Sequence, residues 1–243
     1  MKKTAIIAAL CSLCLSVLSC SRQDAASGGG VSFVIDNNEL LSDISKSKVS
    51  DFSGLPAASE FGIEIKNSSS EIVWSGLLGA WQSTTPLPAG SYTVEASYGG
   101  SEGPAKPAFD GSAEFSINGG DLSKVTIPVS LSNCIVRPVF TDAFKNYFSS
   151  YDFTVTTGSG NKFSFSKDNI TPIFVDPFKF TLSGTLTSQQ GGTPVSFGPK
   201  EYEALKAATC YSLVFDAGNV GGLKLLITFD DSVQTIEVGE IEL

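Results

Sequence analysis

Residues 91–98 read Ser-Tyr-Thr-Val-Glu-Ala-Ser-Tyr, so that Tyr92, Val94, Ala96 and Tyr98 fall on one side and Ser91, Thr93, Glu95 and Ser97 on the other. A period of two fits a β-strand with one face in a core and one in water; on a helix the same residues would scatter around the axis. The period recurs at Val31, Phe33 and Ile35, at Phe61, Ile63 and Ile65, and through 113–117 and 124–131. Turn chemistry separates these runs: Ser68-Ser69-Ser70, Leu87-Pro88-Ala89-Gly90, Gly99-Gly100 and Asn118-Gly119-Gly120-Asp121. Proline presets one turn dihedral and glycine permits a positive φ. Short strands at intervals of roughly 8–12 residues with turns between them predict a sandwich.

The second half continues in the same code. Residues 134–140 are extended, with Pro138 expected at an edge or a bulge. A short helix is expected within 141–150, and strands over 152–156, 162–166 and 173–175, around Phe178, Phe180, Leu182 and Leu186, and over 211–215, 223–229 and 235–243. Residues 200–207 carry weak helical character, and 36–60 read as a long loop with one short strand. The fold class is therefore all-β, in two consecutive sandwich domains over 31–131 and 132–243.

The first 19 residues read as a secretion signal. Lys2 and Lys3 precede an apolar stretch from Ala5 to about Leu18, which is shorter than the roughly 20 residues a membrane span needs. It ends in Val17-Leu18-Ser19-Cys20, which resembles a bacterial lipobox, so Cys20 is the expected lipidation site. Several acyl chains on one cysteine would hold the protein durably to the outer membrane. Residues 20–30, small and polar and ending in three glycines, read as a flexible tether. Lys and Arg number 16 against 25 Asp and Glu, a net charge of −9, and loss of the leader removes only bases. Such acidity argues against nucleic acid as a partner.

The sequence contains no histidine. Ser-His-Asp and Cys-His catalysis are thereby excluded, and typical zinc sites are disfavoured. Of the acid pairs that would serve glycoside cleavage, Glu201/Glu203 sits in weakly helical sequence, Asp230/Asp231 reads as a turn and Glu240/Glu242 as the wet face of a strand, all three as solvated surface. No catalytic residue, metal site or cofactor is expected. Cys134 and Cys210 are the candidate disulfide, a closure that would stabilise by roughly 4 kcal/mol. Side-chain parity opposes it. Cys134 shares a face with Val136 and Phe140, whereas Cys210 lies opposite Tyr211, Leu213 and Phe215. The alternative is a buried thiol at Cys134. Trp81, in a polar loop-like segment, and Tyr147 and Tyr151 are candidate glycan contacts, with core filling as the alternative. Ser232, in Asp231-Ser232-Val233, matches a short pattern that carries O-linked glycan in Bacteroides-type envelope proteins.

The run Leu87-Pro-Ala-Gly-Ser-Tyr-Thr-Val-Glu-Ala-Ser-Tyr-Gly99, with Phe61-Gly-Ile-Glu-Ile-Lys66 before it and Val129-Ser-Leu-Ser-Asn-Cys134 after it, resembles a Bacteroides-type lipoprotein family similar in layout to fimbrillins. That resemblance implies two transthyretin-like or immunoglobulin-like β-sandwiches and a cell-surface adhesion or fimbria-associated role. It brings no catalytic residues. Arg22 is the only arginine near the tether, so protease-triggered strand exchange is not expected. The strand over 235–243 is the candidate for edge addition, the alternative being a strand that completes its own sheet. The expected partners are the outer membrane through the lipid and other fimbrial or envelope proteins or a surface glycan. The competing function is a glycan-binding lipoprotein of a polysaccharide uptake system.

Overall fold

The computed structural model describes residues 28–42, 47–120, 122–218, 224–229 and 232–237, with side-chain surroundings to residue 217. The fold is an all-β sandwich. Six strands form the first sheet: β1 (Gly30–Asn38), β2 (Gly62–Asn67), β3 (Ile72–Leu77), β4 (Gly90–Tyr98), β5 (Phe109–Ile117) and β6 (Leu122–Leu131), in the order β1-β6-β5-β4-β2-β3. β1 runs parallel to β6 along its whole length. β5 pairs with all of β4 but meets β6 only at Phe109↔Leu131, Asp110↔Ser130 and Gly111↔Val129. β6 and β1 therefore leave the plane of the other four strands. Val125, Ile127 and Val129 of β6 then join Ile63, Ile65 and Val94 in one core cluster. A single sheet, folded over, supplies both walls.

The Leu-Pro-Ala-Gly-Ser-Tyr run is a corner. The Tyr92 hydroxyl donates to the Pro88 carbonyl oxygen at 2.8 Å, and its ring stacks on Phe115. A tyrosine hydroxyl closing back on backbone a few residues upstream fixes how the strand enters the sheet.

The second half has two sheets. β7 (Cys134–Phe140), β10 (Ile173–Val175), β13 (Cys210–Gly218), β14 (Lys224–Phe229) and β15 (Ser232–Glu237) are ordered β10-β7-β13-β14-β15. β8 (Phe148–Thr157), β9 (Lys162–Ser166), β11 (Lys179–Ser188) and β12 (Val195–Glu203) are ordered β12-β11-β8-β9. Between them lies a phenylalanine-rich core in which Phe153 and Phe215 stack at 4.1 Å and Phe140 meets Tyr151 at 4.6 Å. The helix α1 (Asp142–Tyr147) starts where the Thr141 hydroxyl accepts the Phe144 N–H, and it drops the Phe144 ring into that core. Pro138 lies beyond the three residues of β7 that β10 covers, so its missing N–H leaves no ladder bond unmade on that side.

Two expectations change. Residues 200–203 belong to β12, whose Tyr202 turns inward between exposed Glu201 and Glu203. Pairing with β11 overrides a weak local helical preference. The 36–60 segment begins as strand to Asn38 and continues through two short 3-10 turns, Val49–Asp51 and Ala58–Glu60, that pack Val49 and Phe61 on the first core.

The halves share a packed junction. Ile135, Phe174 and Cys210 lie in register across β7, β10 and β13 and point into the first core cluster, away from the second. Asn133, buried between β6 and β7, donates from Nδ2 to the Lys106 carbonyl oxygen and accepts the Ala108 N–H on Oδ1. Gly103 exchanges two backbone hydrogen bonds with Phe174, which extends the edge of β10 with the β4–β5 loop.

Candidate functional site

Three surfaces stand out. The first is the edge strand β3, Ile72-Val-Trp-Ser-Gly-Leu77, which carries no charge and no proline. Its register passes from Ile65↔Trp74 to Lys66↔Ile72, so Val73 is a bulge and Ile72, Ser75 and Leu77 share the outer face. Ile72 and Leu77 are 55% and 56% exposed. Among the described residues β3 pairs with β2 alone.

The second is a groove of about 430 Å³ on the outer face of the same sheet, floored by Gly62 and Gly111 and lined by Glu64, Glu95 and Asp110. Glu64 and Glu95 lie directly opposite each other, a repulsive cross-strand pair. The Lys66 ammonium holds them, 2.6 Å from Glu95 and 3.6 Å from Glu64. Those contacts, led by the hydrogen bond to Glu95, raise the lysine pKa.

The third is the outer face of the four-stranded sheet. One row crosses it as Ser196, Thr185, Asp152 and Ser166, and the next as Ser183, Thr154 and Ser164. Between them is a trough of about 290 Å³, where the register shifts between Leu182 and Gly184.

The residues singled out from sequence fall in different places. Cys20 lies outside the described residues. Trp81 follows the 3-10 turn Leu78–Ala80, half-buried, its ring 5.1 Å from Trp74 and 5.7 Å from Phe33. Tyr151 is 5% exposed, inside the second core, so its ring is closed to any ligand. Its burial raises the phenol pKa. Tyr147, at 37%, is exposed at the end of α1. Trp81 and Tyr147 belong to different halves and form no common platform. Ser232 opens β15 opposite Phe229, at the edge of the five-stranded sheet. Asp230, Asp231, Glu240 and Glu242 lie outside the described residues. Glu201 is paired with Lys179 at 2.6 Å.

Cys134 and Cys210 form no disulfide. They sit on adjacent parallel strands with Cys210 opposite Ile135, so the two side chains leave opposite faces of the sheet, one into each core. A bridge needs Cβ vectors that converge. The Cys134 thiol, whose Sγ lies 3.5 Å from the Val175 carbonyl oxygen, has its pKa pushed up to about 12 by burial. Among the described residues no group of three or more Asp, Glu and Cys side chains is placed to hold a metal ion.

A family model described as a domain of unknown function, DUF4493, matches residues 28–242. The chain belongs to the DUF4493 family. No curated protein matches it. Among solved structures, this DUF4493 chain is similar to one from Bacteroides thetaiotaomicron VPI-5482, provisionally named a polysaccharide-binding protein (DUF1812). The identity is 11% and the TM-score 0.47, with 86% of this chain and 98% of that one covered. A provisionally named cell adhesion protein of Bacteroides ovatus ATCC 8483 is 9% identical, with a TM-score of 0.47 and coverage of 88% and 100%. Another from Bacteroides thetaiotaomicron VPI-5482 is 16% identical, with a TM-score of 0.42 and coverage of 80% and 99%.

Proposed function

We propose that this DUF4493 chain is a non-catalytic, lipid-anchored protein of the outer membrane that works in cell-surface adhesion or fimbria-associated assembly. The observation that carries the reading is the edge of β3. Proteins that stay apart protect such an edge with lysine, proline, a bulge or a cover; β3 carries a bulge at Val73 but no lysine and no proline. Here Ile72, Val73 and Leu77 are exposed on a strand without a charge. An added strand from an envelope or fimbrial partner would take main-chain hydrogen bonds from this edge and apolar contacts from those side chains. The lipobox at Cys20 and the tether after it support display away from the membrane. The absence of histidine supports a role without acid–base catalysis at an imidazole.

Cells of the native host test it. Radiolabelled palmitate should enter the wild-type chain and not Cys20→Ala. A deletion strain should lose surface attachment or fimbriae, and wild-type protein should restore them while Val73→Lys does not. Unlabelled protein recovered from the cytosol would defeat the anchor, and full restoration by Val73→Lys would defeat the edge.

A further inference from the structure

We infer that the trough on the outer face of β8, β11 and β12 binds a neutral saccharide chain. The inference rests on the adhesion reading for its biological setting and names the ligand class that reading leaves open. Three features carry it.

The first is the set of free hydroxyls. Thr154, Ser183, Thr185 and Ser196 line the trough, and none of their hydroxyls has a hydrogen-bond partner among the described residues, whereas the nearby Ser149 and Thr157 hydroxyls donate to Ser188 and Glu102. A hydroxyl offers one donor and two acceptor sites and rotates to suit. Four of them around one depression match a ligand that is itself polyhydroxylated.

The second is charge. Asp152 is the one ionised group in the lining. Its two oxygens accept hydrogen bonds and cannot donate, so they suit a pair of neighbouring sugar hydroxyls and repel a uronic acid or sulfated sugar. The chain's net charge of −9 adds to that repulsion. The acidic groove on the first sheet carries three carboxylates in its lining and is a poorer match for a neutral ligand.

The third is shape. Gly184 lies in register between Phe153 and Phe197, and a Cβ there would fall 2.6 Å from the Phe153 ring and 2.8 Å from the Phe197 ring. The missing side chain lets both rings close in beneath the strand. Both rings lie on the core side of the sheet, so the trough above Gly184 is floored by bare backbone. A volume of about 290 Å³ lies at the small end of ligand sites, suited to a short segment of a longer chain.

The test is affinity electrophoresis of the soluble 21–243 chain through gels containing dextran, glucomannan, arabinoxylan or galactan, with alginate and polygalacturonate as acidic counterparts. At least one neutral polysaccharide should retard the protein and neither acidic one should. Thr185→Lys, which places a long cation in the trough, and Asp152→Ala should each weaken that retardation at least fivefold with the melting temperature unchanged. Glu95→Ala, on the other sheet, should not. No retardation by any of the four neutral polymers, equal retardation by alginate, or retardation untouched in both trough variants would each overturn the inference. The readout is binding by purified protein. If the protein fails to bind while its cells still attach, this inference alone fails. If it binds while the deletion strain attaches normally, the adhesion reading alone fails.

Discussion

The indole of Trp81 donates from Nε1 to the carbonyl oxygen of Val31 at 2.8 Å, across 50 positions of sequence. Val31 belongs to β1 and Trp74, against which the same indole packs, belongs to β3. These are the two edges of the six-stranded sheet. One side chain therefore ties the folded sheet's edges together, and the polar residues around Trp81 conceal a structural role.

Trp81→Ala should destabilise the protein by about 3 kcal/mol, through lost ring packing and a lost donor partner for the Val31 carbonyl. Trp81→Phe should recover part of the packing and none of the hydrogen bond. Urea denaturation of the 21–243 chain measures both. A Trp81→Ala protein as stable as wild type would refute the tie between the edges.

The thiols give a second prediction. Cys134 and Cys210 face different cores and are both buried. Iodoacetamide at pH 8 should therefore label neither in the folded 21–243 chain and both after denaturation, with or without prior reductant. The alkaline limb of stability follows from the same burial. An unfolded thiol ionises near 9.0 and the folded Cys134 near 12, while Tyr202 moves from 10.0 to about 12. The folded state then holds more protons than the unfolded one between those limits. Stability conferred by the raised pKa values is complete below about pH 9 and falls as pH climbs toward 12. Cys134→Ser should flatten the first part of that fall in pH-dependent chemical denaturation.

Much of this fold is legible from period and turns alone. The extents 134–140 and 162–166 coincide with β7 and β9: the second run alternates cleanly, and the first is an apolar run whose opening three residues are buried on both faces. The opposed faces of Cys134 and Cys210 follow from parity in the same way. Other features depend on partners far along the chain. β5 begins at Phe109, four residues before the run at 113–117, since Gly111 serves a backbone crossing. The strand over 200–203 needs β11 beside it, and Trp81 needs Val31. The hydroxyl rows of the second half exist only once β8, β9, β11 and β12 are in register. Single serines and threonines spread over some fifty residues carry no such mark.

Gly111 makes the crossing testable. A Cβ there would lie 1.9 Å from the Pro128 carbonyl oxygen, which is backbone and cannot rotate away. This is the last position at which β5 and β6 pair before β6 departs. Gly111→Ala should cost on the order of 3 kcal/mol or more, the upper end of the overpacking range. Gly54, where an added Cβ would meet nothing within 4 Å, should accept alanine with a change within about 0.5 kcal/mol. Equal effects at the two sites, read from thermal unfolding, would contradict the close approach.

The last prediction concerns how the halves hold together. Glu102, in the β4–β5 loop, accepts three hydrogen bonds from the second half. Its Oε2 takes the Thr157 hydroxyl at 2.6 Å and the Asn161 side-chain amide at 2.7 Å, and its Oε1 takes the Asp176 backbone N–H at 2.9 Å. Beside it, Gly103 pairs with Phe174 in both directions. Hydrogen bonds to a charged acceptor are the stronger kind, about 1.5–3 kcal/mol each against a neutral one's roughly 1, but Glu102 and Asn161 border solvent and water would replace part of the loss. Glu102→Ala should therefore cost about 1–2 kcal/mol overall and act locally. Amide hydrogen exchange should quicken at Asp176, Phe174 and Gly103 and stay slow in the middle of β4 and β8. Glu102→Gln should fall between, because its side chain keeps one acceptor oxygen and sets an NH2 group against donors. Unchanged exchange at Gly103 and Phe174 in the alanine variant would show that the buried row Ile135, Phe174 and Cys210 joins the halves without help from the carboxylate.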